Sequence, residues 1–155
     1  MTFHILLGQI TALFLGLNTL TTLSFESDIT SFYYGGNKED VFLKVTDGKT
    51  LIIRANRLEG LSNLMVSTEK RKFYFQMQDG GSRPHGFIEV KHGVMNHALS
   101  AKITTEEYQI LEGRSSILFV NKRRQPVWVN DKEVRRREYF SKGVPIIYEN
   151  KRILN

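Results

Sequence analysis

The chain has 155 residues, 41% hydrophobic and 25% charged, with three prolines and no low-complexity run, enough for one domain with a sizeable core or two small units. Cysteine is absent, which excludes disulfides, thiolate metal sites and cysteine nucleophiles and leaves stability to packing alone. The formal charge of +6 admits nucleic acid, anionic lipid or an acidic protein as partner, but the basic clusters Lys70-Arg71-Lys72, Lys122-Arg123-Arg124 and Arg135-Arg136-Arg137 are local, and two of them sit where turns are expected.

Met1 to Phe25 contains no Asp, Glu, Lys or Arg; all 38 formally charged side chains follow it. The densest apolar stretch, Ile5 to Leu17, would span about 20 Å as a helix, short of the roughly 30 Å hydrocarbon core. A secretory signal peptide over residues 1–24 fits best: the apolar region is short, and Thr22 and Ser24 are small residues two apart. Against it, the leader has only His4 where Lys or Arg is usual. An uncleaved anchor, or the first strand or helix of a cytosolic protein, are the alternatives. Export without cysteine suits a bacterial periplasm.

From Ile29 onward short apolar runs are punctuated by Gly, Asn and Asp. Ile29–Tyr34 is β-branched and aromatic and stops at Gly35-Gly36-Asn37. Val41–Val45 and Thr50–Ala55, joined through Asp47-Gly48, predict a hairpin. A second hairpin joins Ser62–Thr68 to Lys72–Gln78 through Glu69-Lys70-Arg71. Period two puts Phe73, Phe75 and Met77 on one face and Tyr74, Gln76 and Gln78 on the other. Asp79 to Ser82 turns toward a strand over Gly86–Lys91. Thr104 with Glu107 three residues on, and Gly113 as a stop, predict one two-turn helix packed through Tyr108 and Leu111. Strands resume at Ser116–Val120, Val127–Val129, Glu133–Phe140 and Pro145–Glu149, with Asn130-Asp131 as a tight turn. The expected fold is mainly β: an antiparallel β-sandwich over 25–95, then one short helix and a small β-rich C-terminal unit over 96–155, with His92–Ala101 as the link.

Two segments, Gly48-Lys49-Thr50-Leu51-Ile52-Ile53 and Leu61-Ser62-Asn63-Leu64-Met65-Val66-Ser67-Thr68-Glu69-Lys70-Arg71-Lys72-Phe73-Tyr74-Phe75, carry a resemblance. They resemble the N-terminal β-sandwich of the outer-membrane core-complex subunit of bacterial conjugation and type IV secretion machines, of the TraK, TraN and TrbG type. The likeness spans Val41 to Lys91 and rests on strand patterning; the stretch after Gly113 matches the family's second, lipoprotein-docking domain poorly. It implies a non-catalytic periplasmic subunit, indirectly associated with the outer membrane, whose partners are copies of itself and other apparatus subunits. Asn63, opening its strand, is expected to satisfy a backbone group. Lys70, Arg71 and Lys72 at the tip, with Tyr74, Gln76 and Gln78, are the candidate protein-interaction residues.

No nucleophile elbow, phosphate loop or dinucleotide fingerprint is present, and no cofactor or small-molecule substrate is expected. His92 and His97 are five apart, a poor spacing for one metal on a helix or strand, and with Glu89 they could converge only through a loop. The rival reading is a small basic nucleic-acid-binding β-domain of a plasmid or phage. It would use Arg123, Arg124, Trp128, Arg135, Arg136 and Arg137, a basic surface with an aromatic among the arginines.

Overall fold

The computed structural model describes residues 1–155, which form seventeen strands and no helix. The chain divides into two compact units, Met1–Thr2 with Ile10–Lys91, and Phe3–Gln9 with His92–Asn155. In chain order β1 (Thr2–Ile5), β2 (Ile10–Leu15), β3 (Leu20–Phe25), β4 (Ile29–Tyr34), β5 (Val41–Val45), β6 (Thr50–Ala55), β7 (Asn63–Thr68), β8 (Lys72–Asp79) and β9 (Phe87–His92) come first. They are followed by β10 (Ser100–Thr104), β11 (Tyr108–Glu112), β12 (Ser116–Asn121), β13 (Val127–Val129), β14 (Lys132–Val134), β15 (Arg137–Ser141), β16 (Ile146–Tyr148) and β17 (Lys151–Leu154).

The first unit contains two runs of four paired strands, ordered β2-β8-β7-β4 and β9-β3-β6-β5. β2 lies parallel to β8 and β3 parallel to β9; the other pairs are antiparallel. The expectation of a purely antiparallel arrangement is therefore corrected. Strands from the uncharged N-terminal segment are the ones that pair in parallel. Phe25 of β3 meets Phe73 and Phe75 of β8 at 5.2 and 6.5 Å between ring centroids, so the buried faces of the two sheets interlock. Leu13, Leu23, Leu51, Ile53, Val66, Phe75 and Ile88 are fully buried. Each such side chain contributes roughly 1.5–3 kcal/mol of burial free energy. His85, also buried, ties the two sheets: its Nδ1 accepts from Phe14 N at 2.9 Å and its carbonyl accepts from Thr21 Oγ1 at 2.8 Å.

The segment read as a leader is part of the fold. Thr21, Leu23 and Phe25 alternate inward on β3, as do Thr11, Leu13 and Leu15 on β2, and Phe3 and Ile5 are buried in the second unit. Cleavage near Phe25 would remove three strands and empty both cores.

The second unit contains two four-stranded antiparallel sheets, β10-β11-β12-β15 and β14-β13-β16-β17. Its core holds an aromatic cluster: Phe119 lies 5.4 Å from Tyr108, 5.7 Å from Tyr148 and 6.5 Å from Phe140. Burial, then the neighbouring Tyr148 and Glu107, hold the Tyr108 phenol above its ordinary value.

The expected helix after Thr104 is strand β11. The hydroxyl doing the capping is that of Thr105, which accepts from Glu107 N at 3.2 Å and Tyr108 N at 3.0 Å and donates to Tyr108 O at 3.1 Å. This hydroxyl turn folds the β10–β11 hairpin instead of starting a helix, because Tyr108–Glu112 finds ladder partners on both sides in β10 and β12. The run Glu133–Phe140 is likewise broken into β14 and β15.

The turns follow their residue chemistry. Gly48, at φ 84°, closes β5 on β6. Asn130 and Asp131, at φ 48° and 61°, close β13 on β14 with Val129 opposite Lys132.

Candidate interaction surfaces

β8 presents the alternation that its sequence predicts, with Phe73, Phe75 and Met77 buried, Tyr74 and Gln78 exposed and Gln76 half-buried. It is an interior strand, flanked by β2 and β7, so it offers a partner a face and not an edge. Pairing then supplies what the sequence could not. Ile10 of β2 is in register with Tyr74, Tyr74 with Met65 of β7, and Met65 with Tyr33 of β4. Ile10, Tyr74 and Tyr33 are 60, 39 and 65% exposed, and Met65 is half-buried. One apolar and aromatic row therefore crosses the whole outer face of a four-stranded sheet.

At β4, the open edge of that sheet, the row turns into a groove of about 600 Å³ lined by Phe32, Tyr33, Tyr34, Lys38, Phe42 and Arg54 among others. Phe42 stands on β5, itself an edge strand, and the Arg54 guanidinium lies 5.1 Å over its ring. Arg54 Nε donates to Asn56 Oδ1 at 3.2 Å and Asn56 Nδ2 to Glu39 O at 3.1 Å, which fixes the polar rim.

The charged tip between β7 and β8 is shaped by Thr68, whose hydroxyl accepts from Lys70 N and Arg71 N at 3.3 and 3.2 Å and donates to Arg71 O at 2.9 Å. Lys70 and Lys72 are exposed. Arg71 differs: its guanidinium covers the Phe73 ring at 4.7 Å, and burial lowers its pKa, partly offset by the charge of Glu26. Its guanidinium and stem act as a lid on the core edge. Asn63 Oδ1 accepts from the Ser62 hydroxyl at 3.2 Å, so the backbone role expected of it falls instead to Tyr34, whose hydroxyl accepts from Ser62 N at 3.1 Å.

In the second unit Trp128 is 54% exposed on the β13–β14 hairpin, opposite Glu133. Arg123, Arg124, Arg135, Arg136 and Arg137 are all exposed. Arg123 donates to the Tyr148 hydroxyl at 3.4 Å, a bond that, with the charges of Tyr148, Glu107 and Glu149, raises its pKa. Arg135 sits 3.8 Å from Glu133. His92, His97 and Glu89 do not form a metal-holding cluster: no group of three or more His, Asp or Glu side chains is placed to hold a metal ion.

Compared with known proteins, the sequence matches no family model and no curated protein.

Proposed function

We propose that the chain is a non-catalytic structural subunit that works by protein–protein assembly, through the outer face of the β2-β8-β7-β4 sheet and its β4 edge. The observation that carries this is the in-register row Ile10, Tyr74, Met65 and Tyr33. An isolated exposed aromatic needs no explanation, but a contiguous apolar row leading to an open strand edge has the form of a surface that another protein covers. The β4 edge can accept a partner strand by main-chain hydrogen bonding, with the groove taking alternate side chains. In this reading the first unit is a β-sandwich, its two sheets joined by Phe25, Phe73 and Phe75.

The resemblance over Val41–Lys91 extends the reading to an envelope-spanning conjugation or type IV secretion apparatus, with copies of this chain and other apparatus subunits as partners in the periplasm. Residues 1–24, the expected leader, form β1, β2 and most of β3 in the folded chain.

The test is a Tyr33→Ser/Tyr74→Ser double variant, compared with wild type by light scattering and by in-cell photocrosslinking from position 10, in the same row. Loss of self-association or of crosslinks to apparatus subunits, with an unchanged circular dichroism spectrum, is the expected result. Retention of every crosslinked product in the double variant would reject this surface.

A further inference from the structure

Eight strands end a sheet, and seven of them are guarded against further pairing. β5 carries Lys44, β10 Lys102, β14 Lys132 and Glu133, β15 Arg137 and Glu138, and β17 Lys151 and Arg152, charges of the kind that keep an edge from adding strands. β1 and β2 are uncharged but already covered. His4 N donates to Lys142 O at 2.8 Å and His4 O accepts from Lys142 N at 2.9 Å. Phe14 N donates to His85 Nδ1 at 2.9 Å and Phe14 O accepts from His85 N at 2.7 Å. β4 alone, with the sequence Ile-Thr-Ser-Phe-Tyr-Tyr, has neither charge nor cover.

The register shows which groups this edge offers. Gly35 N donates to Asn63 O at 2.8 Å, so the ladder to β7 runs through the alternate pairs Tyr33 with Met65 and Ser31 with Ser67. The N–H and C=O of Phe32 and Tyr34 therefore point away from β7. Outside that ladder the strand makes one backbone bond, from Ile29 N to Gly48 O at 2.8 Å, and its bulge is confined to Ile29–Ser31. Asp28 precedes Tyr33 by five residues and Lys38 follows it by five. Both are exposed, neither has an oppositely charged side chain within ion-pair distance, and Lys38 lines the groove beside Tyr33 and Tyr34.

We propose that β4 pairs antiparallel with β4 of a second copy of this chain, about a two-fold axis at Tyr33, joining two four-stranded sheets into one of eight. This rests on the reading of the β4 edge as a docking surface and names its partner. The register that engages every outward group sets Phe32 opposite Tyr34 of the second copy and forms four main-chain hydrogen bonds. It places Tyr33 opposite its own copy on the outer face, in a non-hydrogen-bonded pair, where aromatic side chains approach closely. The row Ile10, Tyr74, Met65 and Tyr33 then runs on into the same row of the second copy. The same register brings Asp28 of each copy to the Lys38 end of the other, so both unpaired charges are matched twice. Any strand can satisfy the backbone of an open edge. This chain itself also carries the anion and the cation equidistant from the shared tyrosine.

The chain has no cysteine, so a single introduced thiol links only to another copy. In the full chain, Tyr33→Cys should oxidise to a covalent dimer at least about tenfold faster than Thr30→Cys or Lys44→Cys. The axis brings the two positions 33 within disulfide reach and holds the two positions 30 about 20 Å apart. Sedimentation equilibrium of the wild type should give a dimer with a dissociation constant on the order of tens of micromolar, as suits a small interface. Lys38→Asp should weaken it about fivefold or more, and the swap D28K/K38D should restore it to within about twofold. All the substituted positions are exposed, and an unchanged melting temperature separates lost pairing from lost folding. A wild type that stays monomeric at about 500 µM overturns the proposal, a concentration well above the expected constant. So does equal linkage at positions 30 and 33, or a charge swap that fails to restore what Lys38→Asp removes. The two readings fail separately: crosslinks from position 10 to other proteins, with no self-pairing, sink the second copy as partner and leave the docking surface standing.

Discussion

The two units reach stability by different means. The first relies on strands mostly five to eight residues long, whose apolar faces interlock, and it is nearly neutral, with ten basic against nine acidic residues. The second has three-residue strands β13, β14 and β16, too short to hold register alone, and side-chain amides do the tying. Asn130 donates to Pro145 O at 3.2 Å and accepts from Ile147 N at 2.8 Å. Asn96 Oδ1 accepts from Ser115 N at 2.7 Å and the Ser116 hydroxyl at 3.1 Å. Gln9 Nε2 donates to Tyr139 O at 2.9 Å and Oε1 accepts from Ser141 N at 3.0 Å. Short strands leave more loop backbone to satisfy, and a buried amide can meet a donor and an acceptor at once. Single polar substitutions should therefore harm the second unit more than the first.

The largest effect tests a feature the units share. A chain beginning at Phe25 should fail to fold, giving a disordered circular dichroism spectrum, because β1 to β3 supply core to both units. A folded truncation would restore the leader reading. Next, Phe119→Ala should cost about 3–5 kcal/mol, measured by denaturant unfolding, with faster amide exchange across β11, β12 and β15. Asn121→Ala sharpens the comparison: with three carbonyls and one N–H deprived of their partner, a loss of about 1–3 kcal/mol is expected. Asn63→Ala, in the first unit, removes only an exposed bond to Ser62 and should change stability by less than about 0.5 kcal/mol. Equal costs at the two asparagines would break the distinction.

The smallest effect is electrostatic. Hydrogen bonds from Lys142 first and Lys102 second hold the Glu112 carboxyl below its ordinary value of 4.5. A depressed folded value means that the stabilisation is present above the unfolded pKa and is lost as pH falls from there through the folded one. Both side chains of the Lys142 pair are 28% exposed, so solvent limits the effect to less than about 1 kcal/mol. Glu112→Gln should flatten that part of the acid limb of a stability–pH curve.

Local chemistry was legible in the sequence and distant pairing was not. Asp47-Gly48 and Asn130-Asp131 announce their turns because few other residues tolerate positive φ. The alternation over Lys72–Gln78 announces its buried face. The aromatic row escaped because Ile10 lies 64 residues before Tyr74, and only the parallel register brings them together. The early strands did leave a signal, the period-two spacing of Thr21, Leu23 and Phe25, but lack of charge outweighed it. A threonine hydroxyl that can start a helix can equally fold a hairpin turn, as Thr105 does beside the expected cap Thr104, and the ladders beside β11 decided between the two outcomes. Trp128 faces solvent because Val127 and Val129 take the buried side of a three-residue strand.

The parallel pairing of β2 with β8 has a consequence during synthesis. At about 5–20 residues per second, Ile10 is made roughly 3–13 s before Tyr74 exists to receive it. Throughout that wait the charge-free, strand-prone segment Met1–Phe25 lacks the strand that β2 pairs with, and such a segment is the kind that holdase chaperones bind and that aggregates when they are scarce. Yield in an expression host should then be governed by how this segment is sheltered during elongation more than by the stability of the finished protein.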